Sequence, residues 1–135
     1  MKHRLIGLVA AGALATSAAA YGGAKWTSPV YVNKNADGSG TMGGTLGSTR
    51  NTSDTVAQLG CYYENFPPSW GSYRYASCYG YDGTKSLSCG TTDPALTDTI
   101  SRLSGDGYLW VQVDNAGNCT RVQIGSQSWA APKAP

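Results

Sequence analysis

Between Leu87 and Trp129 the spacing of apolar residues changes twice, and each change marks an element. Residues 86–90 read as a short strand. Asp93-Pro94 then opens a helix: the carboxylate accepts from first-turn N–H groups, and proline at the first helical position gives up a donor that had no partner. Leu96, Ile100 and Leu103 recur at i, i+4 and i+7 and share one face. That predicts a helix over 94–104, closed by a left-handed Gly105. So short a helix must dock its stripe to persist. The period then falls to two. Residues 108–114 and 119–124 flank Asn115-Ala116-Gly117-Asn118, which predicts a hairpin. Opposing Asp114 to Cys119 gathers Leu109, Val111, Val113, Val122 and Ile124 on one face, the expected dock for the helix. Trp110, Gln112, Cys119, Arg121 and Gln123 fall on the other.

Upstream, residues 56–63 read as a strand, and 65–71 as a loop, because Pro67 and Pro68 donate no ladder bond. Residues 73–81 alternate cleanly. Tyr73, Tyr75, Ser77, Tyr79 and Tyr81 share one face, and Arg74, Ala76, Cys78 and Gly80 the other. Asp82-Gly83 turns the chain back into 86–90. Residues 21–53 are rich in Gly, Ser, Thr and Asn. There Trp26, Val30, Tyr31 and Val32 suggest an early strand, Leu46 and its neighbours another, and 38–47 a loop or loosely held edge. The expected fold is α+β: a small antiparallel sheet of about five strands with one short helix.

The first residues change the picture of where this happens. Lys2, His3 and Arg4 precede an apolar run over 5–14, and Ser17-Ala18-Ala19-Ala20 follows. This is the pattern of a signal peptide over 1–20, cut after Ala20, rather than of a buried first helix. It predicts a secreted or periplasmic protein, and the short leader and lean composition fit a bacterial one. The expected order is then a segment with edge strands over 21–53, a disulfide-stapled domain over 54–129, and a disordered tail over 130–135. The formal charge of +2 resides wholly in Lys2 and Arg4, since the remaining basic and acidic residues balance at eight each. After cleavage nothing favours electrostatic capture of nucleic acid or of a membrane.

An exported domain with Cys61, Cys78, Cys89 and Cys119 implies two disulfides. Antiparallel pairing around Cys61 and Cys78 favours Cys61–Cys78 with Cys89–Cys119, and a Cys78–Cys89 bridge across the Asp82-Gly83 hairpin is the alternative. The spacing suits no zinc site, and the single histidine, His3, lies in the leader. Histidine-based nucleophilic catalysis is thereby excluded from the mature chain. The turn over 33–38 resembles half a calcium loop but lacks its first carboxylate and its bidentate Glu. No metal or cofactor is expected.

Two chemistries remain. Glu64, the sole glutamate, could pair with Asp82 or Asp54 in a carboxylate-dependent hydrolase. The aromatic density between Tyr62 and Tyr81 points instead to a non-catalytic binding or structural module. In that reading Tyr73, Tyr75, Tyr79, Tyr81 and Trp70 touch a glycan, a cell surface or a protein. A secreted enzyme inhibitor presenting the 65–71 loop is the third reading. Against all three, such rings also serve as cross-strand packing beneath a helix.

Overall fold

Seven antiparallel strands form two sheets in the computed structural model, which describes residues 26–128. The leader over 1–20 and the tail over 130–135 lie outside the described residues. In chain order the elements are β1 (Tyr31–Lys34), β2 (Gly40–Thr45), α1 (Leu46–Asn51), β3 (Gln58–Asn65), β4 (Arg74–Tyr81), β5 (Ser86–Thr91), α2 (Pro94–Ser101), β6 (Tyr108–Val113) and β7 (Cys119–Gly125). One sheet runs β1-β2-β6-β7 and the other β3-β4-β5. The α+β class holds. The strands number seven in two sheets, against the five or so in one sheet that the sequence predicts.

The difference originates in the glycine-rich stretch. Residues 38–47 were expected to form a loop or edge, yet β2 is an interior strand between β1 and β6, and nearly all of it is buried. Its glycines are there for close approach rather than flexibility. A Cβ on Gly40 would stand 2.1 Å from the Asn33 carbonyl oxygen, and one on Gly43 would meet the Tyr31 ring at 3.0 Å. Leu46 and its neighbours, expected as a strand, form α1. There the Thr49 hydroxyl donates to the Thr45 carbonyl, and Arg50 reaches the Gly105 carbonyl.

The core lies between the sheets. Val32, Met42, Leu109, Val111 and Val113 face Ala76, Cys78, Leu87 and Cys89, all at most 4% exposed. Met42 packs so closely on β4 that a Cβ on Gly80 would come within 2.9 Å of its sulfur. Asp93 caps α2 as expected, accepting from the Ala95 and Leu96 N–H groups at 2.8 and 3.0 Å. The helix ends earlier than predicted. It is capped by Arg102, and Gly105 does not adopt a left-handed conformation. Ile100 is buried, and Leu96 and Leu103 partly so. The stripe touches β7, as expected, and also β3 and β4, so α2 bridges both sheets instead of docking on the hairpin alone.

Both disulfides join the expected cysteines: Cys61–Cys78 directly across β3 and β4, and Cys89–Cys119 between the two sheets. The second demands a correction to the hairpin. The β6–β7 register matches the expected one from Leu109–Ile124 to Val111–Val122. A bulge then opposes Val113 to Cys119 instead of Thr120. The extra residue flips Cys119 onto the core face, where it reaches Cys89, instead of leaving it beside Trp110 and Arg121.

Candidate functional site

The period-two pattern of β4 determines what the second sheet shows to solvent. Ala76, Cys78 and Gly80 point into the core, so Tyr75, Ser77, Tyr79 and Tyr81 point outward. α2 packs against the opposite, core face, which leaves the tyrosine face uncovered. The register with β3 adds residues to it. Phe66 reaches Tyr73 through a backbone bond, Glu64 is opposite Tyr75, Tyr62 opposite Ser77, Gly60 opposite Tyr79 and Gln58 opposite Tyr81. From β5 come Gly90, Ser88 and Ser86.

The rings form a ribbon along the sheet. Trp70 stacks on Phe66 with centroids 5.9 Å apart, Phe66 stacks on Tyr73 at 4.5 Å, and Tyr62 meets Tyr75 at 5.9 Å in a tilted arrangement. Trp70 is 68% exposed, Tyr62 54%, Tyr73 42% and Tyr79 41%. Tyr75 is half-buried because its phenol lies over Gly90, where a Cβ would stand 2.6 Å from the hydroxyl. Tyr79 stands between Gly60 and Ser88, and a Cβ on Gly60 would meet nothing within 4 Å. One side of that ring is therefore open. Tyr81 donates to the Gly83 carbonyl at 3.0 Å. The hydroxyls of Tyr62, Tyr73, Tyr75 and Tyr79 make no hydrogen bond among the described residues.

Trp70 is held out by a tight turn. Its N–H donates to the Pro67 carbonyl, Gly71 takes a left-handed conformation at φ 99°, and Ser72 follows at φ 49°. The structure thus brings Trp70 and Tyr73 together at one end of the ribbon, with Tyr75 in the middle and Tyr79 and Tyr81 toward the other end. Sequence reasoning left Tyr62, Phe66 and Glu64 out of this face. The signal was present. Once Cys61 bonds to Cys78, antiparallel pairing places Tyr62 opposite Ser77 and Glu64 opposite Tyr75.

The carboxylates do not assemble as a hydrolase requires. Asp82 lies seven positions along β4 from the partner of Glu64, about 23 Å at strand rise, and Asp54 precedes the same distant end of β3. Glycoside hydrolysis uses a pair about 5–10 Å apart. Asp82 serves the fold instead. It accepts from the Thr84, Lys85 and Val32 N–H groups, and these bonds hold its carboxyl below the usual carboxylate range. Asp54, bonded by the N–H groups of Val56 and Ala57, is lowered in the same way. On the ribbon the Tyr62 phenol is raised, first by desolvation and then by the charges of Tyr75, Glu64 and Tyr73. Among the described residues no three His, Cys, Asp or Glu side chains gather to hold a metal, and no helix is long and apolar enough to cross a membrane.

The molecule is a small disulfide-bonded, β-rich domain with an exposed aromatic cluster. No family model, curated protein or solved structure matches the chain.

Proposed function

We propose that this is an exported, non-catalytic binding protein that holds a glycan against the outer face of β3-β4-β5. The ribbon of exposed rings from Trp70 to Tyr79 carries the reading. Each ring offers an apolar face for a sugar ring, and the unbonded hydroxyls of Tyr62, Tyr73, Tyr75 and Tyr79 supply donors and acceptors for sugar hydroxyls. Ser77, Ser86, Ser88 and Gln58 add polar groups to the same face. Export is supported by the leader pattern over 1–20 and by two disulfides, bonds that persist in oxidising compartments.

The test uses the native protein, whose N-terminus intact mass should place at Tyr21. That material is screened on a glycan array beside Tyr79→Ala and Trp70→Ala. Wild type should bind a defined set of glycans, and each alanine should weaken that binding about fivefold, the loss of one ring contact of about 1 kcal/mol. Retention of full affinity by both variants, or binding of no glycan at all, overturns the reading. The second result would leave protein contact as the use of the same rings.

A further inference from the structure

The chain has eight acidic side chains, and seven are used by the fold. Asp37, Asp54, Asp82, Asp93 and Asp114 accept hydrogen bonds in turns or at the start of α2. Asp98 pairs with Arg102, and Asp106 with Arg50. Glu64 alone among these eight has neither a hydrogen bond nor an ion pair within the described residues. Glu64 is exposed, and its neighbours on the sheet face are aromatic. Tyr75 is directly opposite, Tyr62 and Phe66 flank it on its own strand face, and Tyr73 is the diagonal neighbour. Arg74, the nearest base in sequence, pairs with Asn65, a position on the other face.

A carboxylate neighboured by aromatic rings is a complementary receptor for one kind of group. The negative faces of the rings attract a cation, and the carboxylate supplies its counter-charge. An anionic sugar would be repelled at the same place. Resting on the glycan reading above, we propose that Glu64 and the rings of Tyr62, Tyr73 and Tyr75 form a subsite for an ammonium group, so that the ligand is an amine-bearing sugar. Glu64 then sets the preference, while Tyr79 and Trp70 at the two ends supply ring contact that does not depend on charge.

Two probes separate this proposal from the reading on which it rests. Tetramethylammonium titrated into the full chain should move the tyrosine ring resonances of Tyr62 and Tyr75 and leave those of Tyr31 in place, and Glu64→Gln should abolish the movement. Calorimetry should show a glucosamine oligomer binding about fivefold or more tighter than the matching N-acetylglucosamine oligomer, a difference that falls with salt and that Glu64→Gln erases. Equal affinity for the two oligomers, unchanged in Glu64→Gln, overturns the ammonium subsite and leaves the glycan face standing. Ring shifts with tetramethylammonium but binding of neither oligomer overturn the sugar and keep the cation site. No shift and no binding overturn both.

Discussion

The two sheets each present an aromatic face to solvent, and the two faces are built to opposite ends. On β1-β2-β6-β7, Tyr31 lies over Gly43 and its hydroxyl stands 3.4 Å from that of Tyr108. Trp110 sits beneath the Arg121 guanidinium at 5.5 Å, and half-exposed Trp26 leans on Tyr108. Hydroxyls and ring faces there are already partnered within the fold. On β3-β4-β5, four tyrosine hydroxyls are unbonded, Tyr79 has an empty side over Gly60, and the charge in the middle is an unpaired Glu64 rather than an arginine resting on an indole. Aromatic content alone therefore does not mark a binding face. What distinguishes the open face is four tyrosine hydroxyls, and one side of the Tyr79 ring, that the fold leaves unused.

Parting the sheets is the most drastic way to break this comparison. Cys89–Cys119 ties one sheet to the other, whereas Cys61–Cys78 lies within the open one. Their sequence separations are 30 and 17 residues. Loop-closure entropy then assigns about 3.6 kcal/mol to the first and about 3.1 kcal/mol to the second. Urea unfolding of Cys89→Ala/Cys119→Ala should show the larger loss, and that of Cys61→Ala/Cys78→Ala the smaller. The reverse order would mean that the open sheet, rather than the contact between sheets, limits stability.

A polar tie between the sheets carries less. Asp82 leaves the end of β4 and accepts at Oδ2 from the Val32 N–H of β1 at 3.2 Å, while its Oδ1 holds the turn through Thr84 and Lys85. Asparagine keeps one oxygen and offers an amide donor where the other stood, so Asp82→Asn should cost about 0.5–1 kcal/mol. The Asp82 carboxyl is depressed in the folded state, so its contribution is present above the unfolded value and is lost as pH falls through the folded one. Melting curves between pH 2 and 6 should show wild type losing stability toward acid, and Asp82→Asn losing less of it. Parallel curves for the two proteins would remove Asp82 from the tie.

How far the sequence discloses this contrast depends on what each feature requires. The alternation from Tyr73 to Tyr81 is legible because one face is buried, and burial on one face prints a period of two. The Cys61–Cys78 bridge follows from the same strands. β2 is illegible for a physical reason: Gly40 and Gly43 contribute the absence of a side chain, and an absence has no hydrophobic pattern. The bulge before Val113 is equally silent, yet the chain held a clue in conflict, since a Cys89–Cys119 bridge cannot form from a cysteine on the outer face. Tyr62 and Glu64 needed two strands to be read in register rather than one at a time. The closed state of the other face depended on Tyr31 meeting Tyr108 across 77 positions, which no local pattern encodes.

The smallest effect tests the closed face through its own hydroxyl pair. Burial first, and then the neighbouring Tyr108, push the Tyr31 phenol up to about 12. The unfolded phenol ionises near 10. Since the folded value is the higher one, the contribution of Tyr31 is whole below pH 10 and is lost as pH rises from there through 12. Tyr31→Phe removes one neutral hydrogen bond of long geometry, so its cost at pH 7 should be no more than about 0.5–1 kcal/mol. Its main signature is in alkali. Urea midpoints followed from pH 9 to 12 should fall less steeply in Tyr31→Phe than in wild type, and the latest phase of tyrosinate absorbance should disappear. Tyr62, raised in the same direction on the open face, is the matched control. Tyr62→Phe should flatten the alkaline loss less than Tyr31→Phe does, because half of the Tyr62 residue is exposed to water and its hydroxyl has no partner. If Tyr62→Phe flattened it more, the face described as open would be the one closed on itself in solution, and the contrast between the two sheets would reverse.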